Sequence, residues 1–196
     1  MNLQKKPQPG KLRVLISGFL PPPFSGMGTY YQTLLNSSLP QQIDLHFVST
    51  SSQKRTMDNS GRATFSNLKF AILDCARFAQ AVHLHRPQVA HIGSAFGLSF
   101  IKHSLCVLIA RIYGSKVLLH PHCSSSVLYE NQSKLWQFYF RRVISLCAGV
   151  AALSKEWLQL QKVLPNCPVF YLPNAINLQN YTPVYKNRCL LTQPNP

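Results

Sequence analysis

The chain has 196 residues and a formal net charge of +15 at pH 7, with 20 Lys and Arg against 5 Asp and Glu. This length predicts one substantial domain, and a hydrophobic content of 46% is enough for a full core. The charge favours polyanionic partners such as anionic lipid, phosphorylated substrates, nucleic acid or an acidic protein. The few carboxylates argue against hydrolysis by a carboxylate pair, and none follows a strand where a Ser-His-Asp triad needs one.

The cysteines and the chain ends carry little targeting information. The six cysteines are scattered and form no Cys-x-x-Cys pair, which is typical of reduced core residues in a cytoplasmic protein. We therefore expect neither a disulfide scaffold nor a metal site. Residues 1–10 are polar and predicted to be disordered, without the features of a signal peptide. The longest apolar run, Leu105–Ala110, is too short to cross a bilayer.

The chain then runs through a strand, a glycine loop and a helix. Arg13–Ser17 is a short apolar run that predicts a buried strand, and Thr29–Leu39 predicts a helix. Between them lie three prolines, Gly26 and Gly28. The free N–H groups at the start of a helix are a ready anion site. The loop is equally compatible with a phosphate site and with a turn that binds nothing.

Strands and helices alternate through the rest of the chain. Further strands are predicted at 44–49, 89–92, 116–120, 149–153 and 169–172. Helices are predicted from 63 to a stop at Arg86-Pro87, at 98–113 with Gly114 as the cap, at 134–146, and from a Ser154 cap to 163. Spacings of three and four predict two inward-facing stripes, Leu68, Ile72, Cys75, Ala79 and Val82 on one helix, and Leu98, Ile101, Leu105, Leu108 and Ile112 on another. The apolar strands indicate an α/β fold, a single Rossmann-like domain with a parallel sheet and helices on both faces.

Candidate ligand-binding residues follow from this architecture, because open parallel sheets bind ligands beyond the carboxyl ends of their strands. The rule selects Ser25, Gly26, Met27, Gly28, Gly93, Ser94, His120, His122, Ser124 and Asn174. A histidine in this position can act as a general base or hydrogen-bond a substrate hydroxyl or phosphate. A lone histidine is more often a structural residue that hydrogen-bonds nearby backbone. His120 and His122 flank a proline opposite a glycine loop, which makes a structural role and a ligand-binding role about equally supported. The histidines without this context are interpreted as structural or surface residues: His46, His83, His85, His91 and His103.

Several segments are characteristic when they are taken together in chain order: Phe24–Tyr30 with its glycines, Arg86–Ile92, Lys116–His122, Val150–Ser154 and Leu172–Asn177. Together they resemble the N-terminal, acceptor-binding domain of family 4 glycosyltransferases of the GT-B fold, over about residues 11–183. The sequence departs from that pattern at Ser25, Cys123, Ala175 and Asn177, where glycine or aspartate is usual. Family members continue into a second domain that binds the nucleotide sugar through a Glu-x7-Glu motif.

The resemblance implies a domain organisation and a reaction. It places a glycosyltransferase 4-like N-terminal domain at 11–184 and makes 185–196 a tail or a linker to a missing C-terminal domain. The implied function is the acceptor-binding half of a retaining, hexosyltransferase-type enzyme in polysaccharide or glycolipid synthesis, inactive without a donor-binding domain, which a separate chain would supply. His122 would be the catalytic residue and His120 its support, with a nucleotide sugar as donor, a sugar or lipid-linked acceptor, and no cofactor. The alternative is a non-catalytic remnant or subunit that binds an anionic membrane or a partner protein.

The segment Lys134–Arg142 joins bulky apolar side chains to arginines, the composition of a surface that rests on anionic lipid headgroups. The predicted membrane contacts are Lys134, Trp136, Arg141 and Arg142, which would hold the protein at the inner face of the plasma membrane. The other interpretation is a core helix with solvent-facing arginines, because Trp136, Phe140 and Val143 have core-like spacing. No recognition motif for nucleic acid is present in the sequence, so none is expected as a partner.

Overall fold

The computed structural model describes residues 10–22, 25–50, 64–164 and 166–174. The strands are β1 Arg13–Gly18, β2 Asp44–Ser49, β3 Val89–Ser94, β4 Lys116–Pro121, β5 Gly149–Ala152 and β6 Val169–Tyr171. The helices are α1 Gly26–Leu35, α2 Leu39–Gln42, α3 Phe65–His85, α4 Leu98–Ile112 and α5 Lys134–Ile144. A π-helical turn at Ser126–Glu130 and a 3-10 helix at Lys155–Lys162 complete the described elements. The predicted tail at 185–196 and the predicted disordered residues 1–9 lie outside this part of the chain.

All the described strands join one six-stranded sheet, in the order β2-β1-β3-β4-β5-β6, and every neighbouring pair is parallel. The chain moves outward from β1 to β2, then crosses back to β3 and proceeds in the opposite direction. The carboxyl ends of β1 and β3 therefore form a topological switch point, where ligands of open α/β sheets bind. This confirms the predicted fold class, a single Rossmann-like α/β domain.

The two faces of the sheet carry different cores. Leu15 turns toward a large core that α3, α4 and α5 complete with Phe78, Phe100 and Phe140. The neighbouring residues of β1 point the other way, since side chains alternate across a strand. They meet Tyr30 and Tyr31 of α1 in a smaller core. Helices thus cover both faces, as predicted.

Two helix ends follow the local rules that the sequence predicts, and others differ. Arg86 ends α3 in the left-handed region, at a φ of 45°, and Gly114 follows α4 at a φ of 81°. By contrast α1 begins at Gly26, three residues before the predicted start, so both loop glycines are helical. It also ends at Leu35, four residues before the predicted end, and Leu39 begins the separate helix α2. The helix after Ser154 is of the 3-10 type, and the Ser154 side chain donates or accepts no capping hydrogen bond.

The prediction that the apolar stripe of α4 faces inward is wrong. Its five residues are 41–80% exposed, whereas the buried face of the helix holds Phe100, Cys106 and Val107 together with Lys102 and His103. On α3 the prediction fails at Leu68 and Ile72, which are exposed, and holds at Cys75, Ala79 and Val82, which turn inward. Polar residues occupy part of both inner faces, so apolar periodicity alone selected the wrong side of α4.

A buried ion pair explains those inward polar residues. The Lys102 ammonium lies 3.1 Å from Oδ2 of Asp74, with the two side chains 6% and 1% exposed. The same ammonium donates to the backbone carbonyl oxygen of Thr50, directly after β2. Breaking one partner of such a pair leaves an unpaired buried charge and is strongly destabilising. The pair therefore ties α3, α4 and the end of β2 together.

On the opposite face of the sheet, one aromatic ring determines how closely α1 packs. Tyr31 is fully buried and lies over Gly18 of β1 and Gly93 of β3. A Cβ atom on Gly18 would come 2.6 Å from Cδ2 of Tyr31, and one on Gly93 would come 2.9 Å from Cζ and overlap the hydroxyl. Only glycine at both positions lets the helix approach the sheet this closely.

We expect Gly93→Ala to destabilise the domain by about 1–3 kcal/mol, because the new methyl group overpacks against the Tyr31 hydroxyl. Tyr31→Phe alone should be neutral or stabilising, since the buried hydroxyl has no hydrogen-bond partner among the described residues. Urea denaturation of the double variant should recover part of the Gly93→Ala loss. An equal loss in both backgrounds would contradict this contact.

Candidate functional site

Three histidines meet at the carboxyl edge of the sheet, next to the switch point. Nε2 of His91 lies 3.1 Å from Nδ1 of His120, so one nitrogen donates and the other accepts. The rings of His120 and His122 follow, with centroids 4.2 Å apart. The His122 backbone N–H donates to the carbonyl oxygen of Ser94 at 2.7 Å, which extends the pairing of β3 and β4 beyond the strand ends.

The register of β3 and β4 produces this arrangement. Gly93 pairs with His120, so their side-chain positions share a face, and His91 lies two residues earlier on that same face. The space over Gly93 on that face is occupied by the Tyr31 ring. The register therefore makes His91 and His120 diagonal neighbours on paired strands and brings their rings within hydrogen-bonding distance.

The start of α1 lies against the histidines. The Tyr30 ring is 5.0 Å from the His120 ring and 5.4 Å from the His122 ring, both in edge geometry, as aromatic pairs prefer. Tyr31 is 5.6 Å from His122. The helix that Gly26 opens and the predicted catalytic histidine thus meet at one place, although they are distant in the sequence.

Burial makes the histidines electrically neutral. It lowers the pKa of His91 to about 4, of His122 to about 4, and of His120 to about 2, with further lowering of the His120 and His122 values by neighbouring histidines. Burial also raises the pKa of Tyr30 to about 12. At neutral pH the site therefore presents uncharged imidazole and phenol groups.

Several of these groups have unused hydrogen-bonding capacity. Among the described residues, Nε2 of His120, both ring nitrogens of His122 and the Tyr31 hydroxyl are buried without a hydrogen-bond partner. A buried polar atom without a partner costs about 1–3 kcal/mol, so native structures rarely keep one without a reason. Four such atoms in one cluster are the strongest mark of a ligand site in this domain.

The Ser25 cap decides which backbone groups of the glycine loop are available. Its Oγ accepts from the Gly28 N–H at 3.1 Å, and its carbonyl oxygen accepts from the Thr29 N–H at 2.9 Å. The N–H groups of Gly26 and Met27 remain as the first-turn donors that could meet an anion. Gly28 is placed by packing instead: a Cβ there would lie 3.3 Å from Phe19 and Pro21.

The remaining predicted site residues lie around this cluster or away from it. Ser94 is buried, and its Oγ donates to the Ala95 carbonyl oxygen at 3.3 Å. Ser124 Oγ lies 3.0 Å from Ser126 Oγ and accepts from the Val127 N–H, so it shapes the turn after β4. Asn174 is exposed, at the end of the described residues.

The predicted membrane contacts separate into two groups. Lys134, Arg141 and Arg142 are exposed on α5, and the Arg142 guanidinium lies over the Phe138 ring at 4.9 Å. Trp136 instead faces inward, where its indole N–H donates to the Leu128 carbonyl oxygen at 2.7 Å. The structure therefore supports the core interpretation for Trp136, as its spacing indicated.

His91 is the residue that sequence reasoning missed, because it lies inside a strand rather than after one. The available signal was the alternation of β3, which puts His91 on the face of Gly93. His103 also differs from a plain surface residue. It lies 3.5 Å from Thr50 Oγ1 and 3.4 Å from Ser99 Oγ, and burial holds its pKa well below the usual range. His46 is structural, since it lies 3.2 Å from Asp44.

The described part of the chain has neither of two further kinds of site. No group of three or more His, Cys, Asp or Glu side chains there is arranged to hold a metal ion. Within the same residues, no helix combines the length and the apolar character needed to cross a membrane.

Comparison with protein-family models and with curated protein sequences gives no match. Solved structures do match, among them one of S. aureus MnaA in complex with UDP, with a TM-score of 0.53 and 13% sequence identity. The alignment covers 87% of this chain and 47% of the other, so the chain spans about half the length of that structure. At this identity the likeness shows the fold: a Rossmann-like domain of a kind also found in a protein solved with a nucleotide.

The neutral histidines predict how stability depends on pH. His122 has a pKa of about 4 when folded and about 6.5 when unfolded, so between these values only the unfolded chain binds the proton. The free energy of unfolding should therefore fall as pH drops through this window, by about 1.4 kcal/mol per pH unit for each such histidine.

For the His122→Gln variant, we expect a shallower dependence of the free energy of unfolding on pH between pH 6 and 4.5. The slope should be smaller by the amount that corresponds to about one bound proton. His83→Gln, at an exposed position, is the matched control for loss of a histidine outside the cluster and should leave the fold intact. An unchanged slope in the His122 variant would show that its ring is not held neutral by the fold.

Proposed function

We propose that this chain is the acceptor-binding half of a retaining, nucleotide-sugar-dependent glycosyltransferase similar to family 4, acting in polysaccharide or glycolipid synthesis. His122 contacts the transferred sugar, and His120 supports it. The observation that carries the proposal is the neutral His122 ring, half-buried beside the switch point, with both nitrogens unpartnered among the described residues.

The chemistry of the cluster suits sugar hydroxyl groups. A neutral imidazole offers one N–H donor and one nitrogen acceptor, which match a hydroxyl that both donates and accepts. The aromatic rings of Tyr30 and Tyr31 add apolar surface beside it. Because burial keeps the imidazoles uncharged, they attract a phosphate weakly, so we assign the donor's phosphates to the N–H groups of Gly26 and Met27 at the start of α1.

The nucleotide-sugar assignment has a second support in the fold. A Rossmann-like domain with a similar fold occurs in S. aureus MnaA, which was solved with UDP. This chain matches about half of that structure, so we propose that a further donor-binding domain, on the same or a separate chain, completes the active site. The nucleotide sugar is then a substrate, and no other cofactor is required.

Saccharide binding tests this proposal directly. We expect the full chain to bind the acceptor glycan in a glycan-array screen and His122→Ala to weaken that binding at least about tenfold, the loss of a buried hydrogen-bonded contact. His83→Ala, an exposed histidine, is the control and should bind like the unmodified chain. Failure to bind any saccharide, or equal binding by His122→Ala, would overturn the assignment of the site.

The need for a donor domain has its own test. The chain by itself should release no UDP from common UDP-sugars, with or without acceptor. Release that disappears in the His122→Ala variant would show that the described domain is catalytically sufficient.

A second candidate function, binding to an anionic membrane without catalysis, is favoured by the surface of the three long helices. The stripe of α4 that the sequence predicted to be buried is exposed, as are Leu135 and Phe138 between the cations of α5. Helices α3, α4 and α5 contain a single carboxylate, Asp74, and it is buried against Lys102. Apolar side chains among cations that outnumber the carboxylates are typical of a surface that rests on anionic lipid.

Vesicle sedimentation distinguishes this candidate. Binding to vesicles with anionic lipid should fall sharply as salt rises, because charges at the surface are screened over about 8 Å at physiological ionic strength. Arg141→Gln/Arg142→Gln should bind more weakly than Lys155→Gln/Lys162→Gln, which removes the same charge from the 3-10 helix. Equal binding to neutral vesicles, or an equal loss in both variants, would count against a membrane surface on α5.

A further inference from the structure

The side of α4 that faces away from the sheet is a continuous apolar surface. Its exposed apolar residues form the α4 stripe, which consists of Leu98, Ile101, Leu105, Leu108 and Ile112. Successive members are three, four, three and four residues apart, so all of them lie along one side of the helix. The other sides of α4 are buried in the domain, whereas the stripe keeps 41–80% of its surface exposed.

The spacing of the α4 stripe is that of a contact between two helices. An alternation of three and four residues is the pattern of a coiled-coil seam, in which each side chain inserts between side chains of a facing helix. The seam extends over the whole of α4, which has 15 residues. The pattern therefore favours a helical partner, and the described part of the chain leaves the stripe exposed.

The α4 stripe also lacks charge along most of its length. Within residues 98–110 the charged side chain is Lys102, which is buried in its ion pair with Asp74. At the end of the helix, the Arg111 guanidinium donates to the carbonyl oxygen of Ser115 at 3.5 Å. A surface that rests on anionic lipid needs cations beside its apolar residues, as α5 has. Two uncharged stripes can instead pack together without bringing like charges into contact.

The neighbouring helix widens the apolar surface. Helices α3 and α4 follow two strands that are both parallel to β1, so both helices run from the carboxyl edge of the sheet. Because Asp74 pairs with Lys102, Leu68 and Ile72 lie beside the first turns of α4, and they are 59% and 61% exposed.

The apolar area is sufficient for a stable contact. At about 100 Å² for each half-exposed Leu or Ile, the α4 stripe with Leu68 and Ile72 presents roughly 700 Å² per copy of the chain. Each partner in a standard protein–protein interface buries about 800 Å², part of which is a polar rim. A second copy of this chain could therefore cover the surface completely.

We propose that the α4 stripe is a self-association surface, on which a second copy of the chain packs its own α4 stripe about a two-fold axis. Such an isologous contact is the commonest way in which soluble proteins form dimers. Leu105 is the central member of the stripe, so the axis brings the two Leu105 side chains together. The histidine cluster lies beside α1, on the opposite face of the sheet, and stays accessible in this dimer.

Sedimentation velocity of the native, full-length chain tests the proposal. We expect the molar mass to double as the concentration rises from about 1 to about 100 μM. Leu105→Glu should weaken association at least about a hundredfold, because the two-fold axis places two carboxylates at the centre of an apolar contact. Leu158→Glu, which changes a leucine of similar exposure on the 3-10 helix, is the matched control and should associate like the unmodified chain.

The salt dependence of the unmodified chain distinguishes a second copy from lipid without any variant. Each copy carries a formal net charge of +15, so salt screens the repulsion between copies and should strengthen the dimer, whereas it weakens binding to anionic vesicles. A chain that stays monomeric at high salt, or a dimer that dissociates as salt rises, would overturn the proposal. An equal loss of association in Leu105→Glu and Leu158→Glu would also overturn it.

Discussion

The candidate site depends on one packing constraint, the seating of Tyr31 over two strands that carry no side chain beneath it. Gly18 and Gly93 let the ring lie directly on β1 and β3, and the ring in turn fixes how α1 approaches the sheet. The preceding residue, Tyr30, then contacts the rings of His120 and His122. The glycines act through the helix that they admit, more than through any direct contact with a ligand.

This seating also sets the electrostatics of the site. Once α1 covers the carboxyl edge, the three imidazoles are removed from water, and burial rather than charge becomes the main influence on their pKa values. The uncharged histidine cluster contrasts with the rest of the chain, whose formal net charge is +15. The two kinds of group suit different partners. Surface cations attract an anionic partner, whereas the uncharged groups of the site are suited to hydroxyl groups.

The sequence was sufficient for the fold class because most strands are short apolar runs that alternate with helices. Arg86-Pro87 and Gly114 stopped α3 and α4 as predicted, through the left-handed residue after each helix. Apolar spacing failed where a helix buries polar groups. The inner face of α4 carries Lys102 and His103, whose burial depends on Asp74 and Thr50, residues that no local pattern connects to them.

The candidate site, like the fold, was only partly predictable from the sequence. The rule about strand ends placed His120 and His122 together with the loop at Gly26, and the structure brings them to one edge. His91 was missed because its role arises from the pairing of β3 with β4, which only the assembled sheet shows. The N–H of Gly28 is engaged by Ser25, a detail of capping geometry that needs the actual helix start.

The central claim is that the fold holds three uncharged histidines in contact, two of them joined by a hydrogen bond. The most direct measurement is a long-range nitrogen–proton NMR spectrum of the histidine rings in the native chain at pH 6. The structure predicts that the rings of His91, His120 and His122 are neutral, with a fixed tautomer for His91 and His120. Spectra in which these rings titrate near pH 6.5, like free imidazoles, would contradict it.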